Sequence, residues 1–187
     1  MTKISKNILL ISGSGRNVGK TTFMRRVIEQ NADQHPVAVK ITPHFHEPTT
    51  GLIPIQVNEN FRVFRETDST SGKDSSSFLQ AGAEKVFYIQ TTDTFLGQAF
   101  SMIADQLPPD QPVIVESAAL RKFIVPGFYV FIEKKSEEMK QSAREMQKLA
   151  DITIFSDEEQ FSLNPESVIF NQSWKIQNSW SHFSKPS

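Results

Sequence analysis

Two rhythms of apolar residues alternate along the chain. Residues 8–12 form a short continuous apolar run that leads into Gly13 and Gly15, the pattern of a strand buried on both faces. Residues 20–30 space Phe23, Met24, Val27 and Ile28 at helical intervals, with Arg25, Arg26 and Glu29 on the opposite side. A second strand is expected over 37–42, after a turn at His35-Pro36. Two period-two stretches, 52–57 and 61–66, flank Asn58-Glu59-Asn60 and predict an antiparallel hairpin. Beyond it the pattern predicts a short helix over 78–84, a strand over 85–91 and a helix over 94–106. The last of these presents Phe95, Ala99, Met102 and Ile103 on one face and stops before Pro108-Pro109. Strands are expected over 113–117 and 128–133. Ser136 is placed to cap a helix over 137–150, in which Met139, Ala143, Met146 and Ala150 share a face. Strands over 151–156 and 168–171 complete the series.

This alternation predicts an α/β fold, a mostly parallel sheet with helices on both faces and an inserted antiparallel hairpin at about residues 51–67. The expected organisation is one domain over 1–171 and a C-terminal tail, 172–187, whose Trp174, Trp180 and Phe183 dock on the body. A chain of 187 residues suits a single core, burying roughly 70% of its unfolded surface. Lys and Arg number 20 against 21 Asp and Glu, a net charge of −1. That balance excludes a generally basic nucleic-acid binder. The absence of cysteine excludes disulfides, thiolate zinc sites, iron–sulfur clusters and cysteine nucleophiles. The polar start and the brief apolar run after it predict neither signal peptide nor membrane span, and so a cytoplasmic protein. Phe supplies 15 of the 19 aromatic residues (15 Phe, 2 Trp, 2 Tyr), which suits a core of rings that need no hydrogen-bond partner.

The segment richest in chemistry is Gly13-Ser14-Gly15-Arg16-Asn17-Val18-Gly19-Lys20-Thr21-Thr22, set between the first strand and the first helix. Glycines at 13, 15 and 19 let the backbone curl and turn successive N–H groups inward, and the opening helix adds unpaired donors. Lys20 offers a mobile positive charge to β- and γ-phosphates, and the Thr21 hydroxyl suits Mg²⁺. The spacing departs from the phosphate-loop pattern at one position, where Ser14 stands in place of glycine. The segment predicts nucleoside triphosphate binding. Val113-Ile114-Val115 ends in Glu116, whose carboxylate is placed to hold Mg²⁺ or to orient a nucleophile; the alternative is a solvent-facing strand end.

With these pieces in hand the chain resembles the molybdopterin-guanine dinucleotide biosynthesis adapter (MobB) family, within the P-loop NTPase class that includes dethiobiotin synthetase. The resemblance is carried by Gly13–Thr22, by Val39-Lys40-Ile41-Thr42-Pro43-His44, by Gly72-Lys73-Asp74-Ser75 with Ala81-Gly82-Ala83, and by Val115-Glu116. The run from Asp151 to Asp157 adds to it. It implies a three-layer P-loop fold and a GTP-binding accessory protein of molybdenum cofactor biosynthesis. Such proteins are usually dimeric and act with the molybdenum cofactor guanylyltransferase. Lys20 and Thr21 would then hold phosphates and Mg²⁺, Glu116 would be the acidic partner, and Asp74 would lie near the triphosphate or the metal. The chain departs from the family in having fewer histidines, an extra hairpin, and Ser117 where glycine follows the Glu.

Other residues carry two readings each. His44 and His46 suit either a metal or the rim of a polar pocket. Lys40 either reaches a phosphate or extends into solvent. Asp74 by its chemistry alone reads as a helix cap, and it is the resemblance that sets a site role beside that reading; Asp68 is a weaker candidate for the same role. Asp157 either accepts from guanine N1–H and N2–H or caps the segment 158–161. Arg121 and Lys122 read as a solvated face or, less readily, as a contact for an anionic partner. The alternatives to an adapter with slow GTP hydrolysis are an ATP-dependent small-molecule kinase or ligase similar to dethiobiotin synthetase, and a regulatory GTPase switching through 69–77.

Overall fold

The structure, a computed structural model, describes residues 4–134, 138–157 and 160–177. In chain order its elements are β1 (Ile4–Gly13), α1 (Lys20–Gln30), β2 (Val37–Thr42), β3 (Leu52–Val57), β4 (Phe61–Glu66), α2 (Asp74–Gln80), β5 (Lys85–Thr91), α3 (Leu96–Ala104), β6 (Val113–Glu116), β7 (Val125–Lys134), α4 (Gln141–Gln147), β8 (Ile152–Asp157), β9 (Gln160–Phe161), β10 (Val168–Phe170) and β11 (Trp174–Ile176). Nine strands form one sheet in the order β3-β4-β5-β2-β6-β1-β7-β8-β9. The six from β5 to β8 run parallel. The inserted hairpin adds β4 and β3 antiparallel at one edge, and β9 folds back on β8 at the other. A separate antiparallel hairpin pairs β10 with β11.

Strand alternation divides the core into two layers. Leu10, Val39, Ile89, Val115 and Phe131 face α3 and α4, whereas Leu9, Ile11, Ala38, Ile114 and Ile132 face α1, α2 and the β10–β11 hairpin. Both faces of the central strands are thus covered, which is why they read as continuous apolar runs. The α/β fold with a mostly parallel sheet and helices on both faces matches the expectation from sequence.

Several boundaries differ for identifiable reasons. Helix α2 starts at Asp74, four residues before the predicted 78, and ends at Gln80. Its first turn reads as a polar loop because it is built from serines. Ser75 and Ser76 are nevertheless buried, their hydroxyls bonded to Glu66 and to the Ser71 amide. Strand β1 begins at Ile4, its polar start pairing with β7 across an irregularity between Ser5 and Leu9. Helix α4 is shorter than its 137–150 pattern; Ser136, its expected cap, lies outside the described residues, as do Trp180 and Phe183. Trp174 does dock: it is 4% exposed, lies edge-on to Phe170 and donates from Nε1 to the Asn7 carbonyl at 2.7 Å. Among the described residues no helix is long and apolar enough to cross a membrane.

Candidate functional site

The chain leaves β1 towards β2 on one side, and β6 returns to lie between them. A crevice at the carboxyl ends of the strands is the expected place for a ligand where the order reverses in this way. A cleft of about 890 Å³ opens there. The loop from β1 to α1 forms its floor, and every expected loop residue lines it except Val18, which is buried in the core.

Close packing explains the loop's shape. A Cβ on Gly13 would come within 2.7 Å of the Ile132 carbonyl oxygen and the Val18 side chain. Gly19 has φ +88°, and a Cβ there would meet the Phe161 ring at 2.9 Å. Asn17, at φ 56°, adopts the left-handed conformation that asparagine tolerates. Ser14, the departure from the glycine pattern, is used structurally. Its amide donates to the Ile132 carbonyl at 2.9 Å and its hydroxyl accepts from the Lys134 amide at 3.3 Å, fastening the loop to β7. The amides of residues 15–19, 21 and 22 find no acceptor in hydrogen-bonding geometry among the described residues. The loop therefore offers a run of unpaired donors beside the positive end of α1. Lys20 Nζ donates to the Gly15 carbonyl at 2.5 Å, so its ammonium is folded over the same loop.

The opposite wall is built around Lys40. Position 40 shares the α1 side of the sheet with Ala38, and Glu116 shares it with Ile114. Lys40 Nζ meets Glu116 Oε1 at 2.6 Å and Asp74 Oδ2 at 2.8 Å, and donates to Thr21 Oγ1 at 3.4 Å. The Thr21 hydroxyl donates to the other Glu116 oxygen at 3.1 Å. Glu116 is only 4% exposed. Burial alone would push the Lys40 ammonium down, but the carboxylates of Glu116 and Asp74 outweigh it and hold the group above the ordinary lysine value of 10.5. Three side-chain oxygens from three separate elements thus converge on one cation.

The remaining candidates fall elsewhere. Arg16 contacts His44 Nε2 at the mouth of the cleft. His44 and His46 are exposed, and no cluster of three or more His, Asp or Glu able to hold a metal is found among the described residues. Asp74 is the first residue of α2 and not its cap, which is Lys73. Asp68 closes a local turn on the Thr70 amide and hydroxyl, both at 2.7 Å, outside the cleft. Arg121 and Lys122 bind the Ile124 carbonyl and Asp93. Asp157 lines a second depression of about 480 Å³ with Lys134 and Phe161. Phe161 packs edge-on against Phe23 and reaches Gly19, so this depression adjoins the start of α1. Strand β9 carried no signal in the sequence, since two residues define no period.

Behind the cleft, Ser12 and Tyr129 hydroxyls meet at 2.6 Å in the core. Burial raises the Tyr129 phenol above its ordinary 10.0, against the lowering effect of Ser12. Lys40 and Tyr129 both hold their protons more tightly in the fold than in the unfolded chain. Their contribution is complete below about pH 10 and is lost as pH rises through the folded values. Thermal melting is accordingly expected to decline above pH 10, and Tyr129→Phe to flatten that decline. A decline of unaltered steepness in Tyr129→Phe would assign it to other groups.

Compared with protein-family models, with curated proteins and with solved structures, the chain matches none of them.

Proposed function

We propose that this chain binds a nucleoside triphosphate with Mg²⁺ in the cleft between β1 and α1, on a P-loop NTPase fold. The observation that carries the reading is the set of unpaired amides at 15–17, 19, 21 and 22 in the loop that lines the cleft, with the Lys20 ammonium folded over that loop and the oxygens of Thr21, Asp74 and Glu116 lining the same cleft. Unpaired amides and an ammonium suit a polyanion. The oxygens gathered round Lys40 are hard donors of the kind Mg²⁺ takes, and phosphate oxygens and water commonly complete its shell. Bound there, the ion would neutralise charge developing between β- and γ-phosphates.

The nucleotide we propose is GTP, with Asp157 reading the base. This step leans on the resemblance to the MobB family and on the depression beside Gly19 that Asp157 lines. With it go the accessory role in molybdenum cofactor biosynthesis and the guanylyltransferase as partner. A second reading draws on the far wall of the cleft, where Ser117, Ala118, Lys140 and Ser142 extend the space beyond the phosphate loop. That room suits an acceptor molecule, as a kinase or ligase requires.

A nucleotide panel by calorimetry, with turnover measured on the same sample, tests both readings. At 100 times Kd, GTP–Mg²⁺ is expected to add about 2.7 kcal/mol, a rise in Tm of roughly 5–11 °C. ATP is expected to give a smaller rise. An equal or larger rise with ATP would overturn the base assignment. Acceptor-dependent turnover of about 1–100 s⁻¹ would favour the kinase or ligase.

A further inference from the structure

The inserted hairpin ends in Glu66, a buried acid that neither reading above employs. It is 2% exposed and does not line the cleft. Its Oε1 accepts from the Thr67 amide at 3.1 Å and the Asp68 amide at 3.0 Å, while Oε2 accepts from the Ser75 hydroxyl at 2.7 Å. Thr67 passes the connection on, its amide and hydroxyl donating to the Gly51 carbonyl at 2.9 and 2.8 Å. The Ser71 amide is held by the Ser76 hydroxyl at 3.1 Å. One carboxyl group therefore gathers the two ends of the loop 67–73, at Thr67 and at the first turn of α2.

Asp74 directly precedes Ser75 and stands 2.8 Å from Lys40 Nζ. The Asp74 side chain is 54% exposed, so burial does little to fix it. What fixes its backbone is the α2 terminus, which Glu66 holds from below. Burying an acid group is costly unless its oxygens are matched, and here one oxygen of Glu66 is matched by the start of this loop and the other by the first turn of α2.

We propose that Glu66 is a positioning residue: it anchors the loop 67–73 and, through Ser75, sets Asp74 at the metal side of the cleft. The inserted hairpin thereby supplies a support for the ligand shell as well as two strands of sheet. The inference rests on the nucleoside triphosphate–Mg²⁺ reading of the cleft.

Two measurements on the full chain test it. The first is hydrogen exchange of the ligand-free protein; the second is calorimetric GTP affinity with Mg²⁺ and with EDTA. Glu66→Ala and Ser75→Ala are expected to speed exchange over 67–76 alone. They are also expected to lower the Mg²⁺-dependent gain in GTP affinity by about tenfold or more, as lost outer-shell support does. Affinity in EDTA is expected to stay at the wild-type value. Glu66→Gln is expected to retain the gain, because its amide oxygen still accepts both N–H groups and its NH₂ can donate to Ser75. Ser75→Ala deletes one hydroxyl and decides the matter if Glu66→Ala does not fold. An unchanged Mg²⁺ gain in Ser75→Ala, or an equal loss in EDTA, overturns the proposal. A wild-type chain with no GTP affinity overturns the cleft reading, and Asp74's role with it. Exchange then still reports separately whether Glu66 anchors the loop.

Discussion

Lys20→Ala is expected to remove the GTP–Mg²⁺ melting shift almost entirely while leaving the ligand-free protein folded. In the free protein Lys20 donates to its own loop at the Gly15 carbonyl, a partly exposed contact that alanine gives up at small cost. Bound to a triphosphate, the same ammonium would face several phosphate oxygens. Charge-assisted hydrogen bonds are worth about 1.5–3 kcal/mol each. Losing two of them, about 3–6 kcal/mol, weakens binding on the order of 100-fold or more, which cancels most of the expected linkage gain. The ligand-free melting temperature of the variant is expected within about 2–4 °C of wild type, the shift that 1 kcal/mol produces in a domain of this size. A variant that keeps the full ligand-induced shift would place the triphosphate away from the loop at 13–22.

That loop was legible in the sequence because its residue types are dictated by backbone geometry. Gly13 and Gly19 sit where a Cβ collides with Ile132 or Phe161, and only the collision partners were hidden. The strands over 37–42, 61–66 and 85–91 were legible to the residue, since burial on one or both faces writes directly into their pattern; the edge strand over 52–57 was legible from its alternation alone, for its Ile53, Ile55 and Val57 are exposed. The start of α2 was not. Its buried serines look like loop residues until their partners, Glu66 and the Ser71 amide, are brought in from elsewhere in the fold. Lys40 was legible as a residue that reaches a phosphate or extends into solvent, and its actual partners were not. Its meeting with Glu116 and Asp74 depends on β6 inserting between β2 and β1, a crossing that no local pattern encodes. Glu66 was hidden for the same reason: an acid at a strand end reads as solvated, and the donors that bury it come from the turn after it and the helix beyond.

Lys40 is also where the largest loss of stability is expected. Lys40→Met keeps the unbranched stem of the side chain, one atom shorter, and removes its charge, leaving Glu116 buried with the Thr21 hydroxyl as its remaining side-chain partner. Breaking a buried pair by removing one member typically costs about 3–5 kcal/mol, because the other charge stays buried and uncompensated. At about 2–4 °C per kcal/mol the melting temperature should fall by roughly 6–20 °C. Two comparisons separate this cause from lost packing. In the double variant Lys40→Met with Glu116→Leu, most of the loss should be recovered, since no buried charge is left without its partner. Millimolar Mg²⁺ with GTP should also stabilise Lys40→Met by more degrees than wild type, because a cation among the Thr21, Asp74 and Glu116 oxygens replaces the missing ammonium. Equal melting temperatures for Lys40→Met and the double variant would show that Glu116 tolerates burial without Lys40. The pair would then be a bystander at the cleft and not the charge-balanced seat argued for it.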